Sequence, residues 1–191
     1  TMAGMARRAL DTVPQRFALA GLSMGGYVAL EMMRQAPERV TKLALLDTGA
    51  RADTPEQTTR RRDLIALADR GEFKAVSPRL LPLFVHEARL TDSALIADIT
   101  AMAESVGKDA FLRQQTAIMN RPDSRPGLAG IACPTLVLCG RDDILTPPDL
   151  SEEMADLVPG ADFVLIEDCG HLSTMEQPAA VNAALSSWLA G

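Results

Sequence analysis

A chain of 191 residues, 47% hydrophobic and 23% charged, is long enough to bury one sizeable core and requires no second principal domain. Its formal net charge of −6 argues against nucleic acid or an anionic membrane surface as the main partner, because both recruit basic faces. No apolar run approaches the ~18 residues that span a bilayer, and the N-terminus lacks the order of a secretory signal, so a cytoplasmic protein is expected.

In chain order, Met2 to Val13 reads as a helix leading into a short apolar strand, Arg16 to Ala20. Met24 to Gln35 is the next helix and stops before Pro37; a second strand runs from Lys42 to Asp47. The alternation is then interrupted, from about Ala50 to Leu128, by a stretch that reads as helical throughout and resembles a cap more than a linker. Its entry is marked by Thr54-Pro55-Glu56-Gln57, a capping threonine with proline at the first helical position and glutamine three residues after the threonine. Leu64, Ile65, Leu67 and Ala68 give that helix an apolar stripe, while Arg60-Arg61-Arg62 reads as a solvated face. Further helices are expected near Phe73 to Val85, Thr91 to Val106 and Lys108 to Met119, before a turn-rich return over Arg121 to Gly127.

Strands Thr135 to Cys139 and Asp162 to Glu167, with helices Leu150 to Val158 and Ala179 to Leu189, complete the chain. Because the strand runs are continuously apolar rather than alternating, the expected fold is α/β, a mostly parallel sheet with helices on both faces. The expected division is a core formed by residues 1–50 and 129–191, with a helical cap over 51–128. Cys133, Cys139 and Cys169 are odd in number and lack metal-type spacing, so they predict free thiols, with no zinc site and no disulfide framework.

Three stretches carry chemistry. Gly21-Leu22-Ser23-Met24-Gly25 fits G-x-S-x-G between an apolar strand and a helix, where small residues at Gly21 and Gly25 leave room for Ser23 to project its hydroxyl. Alone, this pentapeptide is also compatible with an ordinary glycine-rich turn. The third strand ends in Gly140-Arg141-Asp142-Asp143-Ile144-Leu145-Thr146-Pro147, and the fourth ends in Asp168-Cys169-Gly170-His171. A serine, a carboxylate and a histidine therefore lie beyond the carboxyl ends of parallel strands, where open α/β sheets assemble their sites. A serine hydroxyl needs a base with a pKa near 7, and His171 is one of only two histidines.

The GLSMGG, GRDDILTP and CGHLSTMEQP segments, in that order, resemble the α/β-hydrolase superfamily across essentially the whole chain. The resemblance implies Ser23 as nucleophile, His171 as base and the Met24 N–H as an oxyanion donor. Counted from Gly140, the family's G-x-x-D pattern implies Asp143 as the acid; Asp47, at the end of the second strand, stays open because some members carry the acid there. Serine at position 23 argues against haloalkane dehalogenase and epoxide hydrolase chemistry, which use an aspartate nucleophile in this superfamily. The implied activity is cleavage of small to medium carboxylic esters, with no metal or organic cofactor. Lactonase or carbon–carbon bond hydrolase chemistry, and a catalytically incompetent fragment or ligand-binding protein, are the alternatives.

The same resemblance implies strands before the nucleophile strand, so an N-terminally truncated form is expected, lacking the loop that supplies a second oxyanion amide. The first strand then has an open edge, for which self-association or a complementing N-terminal segment is expected. Of the remaining candidates, His86 reads as a cap or surface residue or else a substrate contact, Asp168 as a turn residue and Cys169 as a buried neighbour of the histidine loop. Met32, Met33, Met102 and Met119 read as packing residues, of which one or two in the cap line an acyl pocket.

Overall fold

A computed structural model describes residues 1–72 and 76–191. The four apolar runs form one parallel sheet in the order β1 (Phe17–Leu22), β2 (Val40–Leu46), β3 (Thr135–Gly140), β4 (Asp162–Ile166). All six residues of β3 are buried, as a continuous apolar run between two covered faces requires. The chain belongs to this sheet for longer than its apolar pattern suggests at β1: pairing of Gly21 with Leu45 and Leu22 with Leu46 carries the strand up to Ser23. For the same reason β2 begins at Val40, opposite Phe17, rather than at Lys42.

Helices cover both faces. α1 (Met2–Thr12) and α2 (Met24–Gln35) lie on one side, where Leu10 and Met32 meet Phe17 and Leu19 of β1. Leu43, Leu45 and Val137 point to that same face and pack with Leu30 and Met33 of α2. Their neighbours Ala44, Leu46, Leu136 and Leu138 point to the other, so one strand feeds two cores. Complete burial of Leu43 and Leu45 stabilises the fold by about 1.5–3 kcal/mol each.

Between β2 and β3 the regular elements among the described residues are all helices. α3 (Pro55–Leu67) starts with the expected capping box: Gln57 N–H donates to Thr54 Oγ1 at 3.2 Å, and Thr54 N–H donates to Gln57 Oε1 at 2.9 Å. A π-turn at Ala68–Glu72 follows. The start of the helix expected from Phe73 to Val85 falls at 73–75, outside the described residues; its remainder is α4 (Val76–Phe84). α5 (Ser93–Met119) is interrupted at Gly107, whose φ of 76° and ψ of 168° are non-helical, and this break separates the two helices read from the sequence. The turn-rich return contains one short helix, α6 (Arg125–Leu128), which starts where Pro126 fits a first turn.

α7 (Pro148–Leu157) contributes Met154 to the core shared with α2, on the face opposite α9 (Pro178–Ala190), whose Val181 joins Leu136 and Leu138. Between β4 and α9, the short α8 (Ser173–Glu176) was not expected from the sequence. Among the described residues β1 pairs only with β2, and Ala18 and Ala20 are exposed. No helix among the described residues is long and apolar enough to cross a membrane.

Candidate active site

β1 ends at Leu22 and α2 begins at Met24, so Ser23 makes the turn by itself, with φ 52° and ψ −117°. Such a conformation costs about 1–3 kcal/mol in a non-glycine residue and persists only where the surroundings hold it. Here Ser23 N–H donates to the Leu46 carbonyl at 2.9 Å, and the Ser23 carbonyl accepts from Gly26 N–H at 2.9 Å and Thr48 Oγ1–H at 2.8 Å. A Cβ at Gly21 would collide with the Gly25 carbonyl, and one at Gly26 would lie 2.5 Å from Thr48 Cγ2 and Oγ1. Gly25 is not the crowded position expected from the sequence, since a Cβ there meets nothing within 4 Å; the close approach is at Gly26, where α2 crosses the end of β2. As the first residue of α2, Met24 has an N–H that the helix does not use, beside the serine.

The third strand brings up the carboxylate. Asp143 is buried, and its Oδ1 accepts from the N–H groups of Leu145 at 2.8 Å and Thr146 at 2.9 Å. Its Oδ2 accepts from Thr146 Oγ1–H at 2.6 Å and lies 2.8 Å from His171 Nδ1. A carboxylate only accepts, so Nδ1 carries the proton of a neutral imidazole and Nε2 is left as the acceptor. Ser23 Oγ stands 2.8 Å from that Nε2. The structure thus brings Ser23, His171 and Asp143 into one hydrogen-bonded line.

Asp47 lies elsewhere. Its Oδ1 accepts from Gly140 N–H at 3.0 Å, and its Oδ2 accepts from the N–H and hydroxyl of Ser173, tying the ends of β2 and β3 to the histidine loop. Burial pushes its carboxyl up to about 7, against the lowering effect of Ser173, His171 and Gly140.

The histidine loop is fixed by residues with little signal in the sequence. Glu176 is buried; its Oε1 accepts from the N–H groups on either side of His171, Gly170 at 3.1 Å and Leu172 at 3.3 Å. Its Oε2 accepts from His86 N–H at 2.7 Å and so ties this loop to the end of α4. Phe84, the last residue of α4, stacks on the His171 ring with 6.0 Å between centroids and 21° between planes. Asp168 is an exposed turn residue with φ 50°, and Cys169 is buried beside the loop. His86 Nδ1 accepts from Ala88 N–H at 3.2 Å, and its Nε2 lies 3.6 Å from Asp142.

Ser23, Met24 and Tyr27 open onto a cavity of about 350 Å³ whose wall is largely apolar, with Leu64, Phe84, Ile99 and Phe111 from the helices between β2 and β3. Met102 lines it, while Met32 and Met33 are buried in the cores around α2. The arginine run is not a solvated face: only Arg62 is exposed, and Arg60 and Arg61 line the cavity. Arg61 turns inward because a carboxylate is buried there, its Nε donating to Asp53 at 2.7 Å. Among the described residues no group of three or more His, Cys, Asp or Glu side chains is placed to hold a metal ion.

With this geometry in hand, the sequence profile of the alpha/beta hydrolase family matches residues 3–184. The chain is 34% identical over 187 residues to the protein named "Putative non-heme bromoperoxidase BpoC" of Mycobacterium tuberculosis, covering 95% of this chain and 70% of that one. Among solved structures, a thermophilic esterase from Thermogutta terrifontis superposes with a TM-score of 0.90 at 35% identity, over 99% of this chain and 72% of the esterase. An enol-lactonase from Burkholderia xenovorans LB400 also gives 0.90, at 26% identity, over 100% of this chain and 74% of the lactonase.

Proposed function

The chain belongs to the alpha/beta hydrolase family, and from that premise we propose that it is a serine hydrolase cleaving small to medium carboxylic esters. The observation that carries this reading is the unbroken line from Ser23 Oγ through His171 to Asp143, with both contacts to the imidazole at 2.8 Å, opening onto an apolar cavity. Ser23 Oγ attacks the acyl carbonyl while His171 Nε2 takes its proton, and Asp143 holds Nδ1–H and stabilises the imidazolium. The Met24 N–H, at the positive end of α2, donates to the oxyanion as the carbonyl oxygen gains charge. The imidazolium then returns the proton to the departing alcohol. Water, deprotonated by His171, releases the acid from the acyl-enzyme and regenerates Ser23.

A lactone is the second reading, favoured by the likeness to the enol-lactonase. The same attack opens the ring, and the alcohol stays tethered to the acyl group.

The test is covalent labelling with a fluorophosphonate, located by mass spectrometry, with Ser23→Ala and His171→Ala as controls. The expected result is an adduct on Ser23 that requires His171, together with turnover of short-chain p-nitrophenyl esters. Folded protein that takes no label, or takes it equally without His171, overturns the reading.

A further inference from the structure

The polar part of the cavity wall is unbalanced in charge. Among the described residues no Asp or Glu side chain lines it, while Arg60, Arg61 and three glutamines do. Behind the wall, the Asp53 carboxylate, with a side chain 1% exposed, is shared by two guanidinium groups, those of Arg61 and Arg121, which are 14% and 6% exposed. Arg121 is the inner one, stacked 4.3 Å over the ring of Tyr27 and donating to the carbonyls of Arg51 and Ile118. Arg61 is the one that reaches the cavity, steadied by Gln115 Oε1, which accepts from its Nη1 at 3.0 Å. One carboxylate between two guanidiniums leaves one positive charge in a place largely closed to water, where charge is costly unless paired. Arg60 adds a second cation, with no ion-pair partner among the described residues; it sits at the rim, since it also borders an outer depression with Glu56 and Asp63.

The cation is set back from the serine. Tyr27 lies four residues after Ser23, about 6 Å along α2, Arg121 stacks over its ring, and Arg61 holds the same Asp53 carboxylate that Arg121 holds. Leu64, Ile99, Val106 and Phe111 supply hydrocarbon wall in the same cavity. We propose that the cavity takes an ester carrying a second carboxylate remote from the bond that is cut, a monoester of a straight-chain dicarboxylic acid. Its methylene chain lies on the apolar wall, and its anion pairs with the N–H groups of Arg61 that Asp53 and Gln115 leave free. A guanidinium presents paired N–H donors to a carboxylate, which favours this anion over a neutral polar end of the same size.

This inference rests on the hydrolase reading for the position of the scissile bond, so it is tested without turnover. Binding of monomethyl adipate and of methyl hexanoate, which have the same chain length, is measured by calorimetry on the Ser23→Ala protein. The anionic ester is expected to bind about tenfold or more tighter, with a preference that shrinks at raised salt. Arg61→Gln in the same background is expected to remove most of that preference. Arg60→Gln, which leaves the Asp53 pair intact and so does not threaten folding, is expected to weaken it as well. Equal binding of the two esters, or a preference that survives both substitutions, overturns the proposal. Failure of the hydrolase reading is seen separately, as a wild-type protein that prefers the anionic ester yet takes no fluorophosphonate.

Discussion

Removing the Glu176 carboxylate should be strongly destabilising. In the folded chain it satisfies three backbone donors, Gly170, Leu172 and His86, and it is only 3% exposed. Glu176→Ala leaves those three N–H groups without their acceptor in a largely buried site. At about 1–3 kcal/mol for each unsatisfied donor, with part recovered if water enters the vacated volume, the expected loss is about 3–6 kcal/mol. That is a large share of the roughly 5–15 kcal/mol by which a domain of this kind is stable. Glu176→Gln keeps one acceptor oxygen; placed between Gly170 and Leu172 it preserves both of those bonds and turns its NH₂ toward His86 N–H, so its expected cost is about 1–3 kcal/mol. Urea denaturation of the three proteins should therefore rank wild type above Gln above Ala. Because two of the amides flank His171, fluorophosphonate labelling of Ser23 in folded Glu176→Gln should also slow, by about tenfold or more, since small displacements of a base are costly. A Glu176→Ala protein within about 0.5 kcal/mol of wild type and labelled at the same rate would refute the reasoning.

Two further outcomes follow from buried groups at the sheet ends. The Asp47 carboxyl is pushed up to about 7 when folded, from an ordinary value of 3.8, so the folded protein holds a proton that the unfolded chain releases between these pH values. The stability this group contributes should accordingly be full below about pH 4 and be lost as the pH rises through 7, by no more than about 4 kcal/mol. Asp47→Asn should flatten that slope in denaturant titrations across the window, and superimposable slopes would count against the assignment. Gly26→Ala places a methyl group 2.5 Å from Thr48 Cγ2 and Oγ1, so α2 must shift or Thr48 must release the Ser23 carbonyl. A loss of about 1–3 kcal/mol is expected, read from the urea midpoint, and an unmoved midpoint would show that the contact is soft.

What the sequence determined by itself is whatever a few consecutive residues encode. Continuous apolar runs marked all four strands, and Thr54 with Gln57 marked the entry of α3. The order of the serine, carboxylate and histidine loops was equally legible, because each follows a strand and parallel strands deliver their loops to one end of the sheet. Which carboxylate meets the histidine was left to the tertiary structure. Asp47 and Asp143 both follow buried strands, and the path of one loop separates them: His171 reaches Asp143, while Ser173, two residues on, reaches Asp47. The same holds for Gly26 rather than Gly25, whose difference appears only when α2 lies against Thr48. It holds for Arg61, which meets Asp53 and Gln115, and for Glu176, which meets His86 ninety residues away. Such partners are set by strand register and by the angle at which helices cross the sheet. Local pattern does not carry that information, because a buried polar group takes whichever partner the packed chain brings within hydrogen-bond reach.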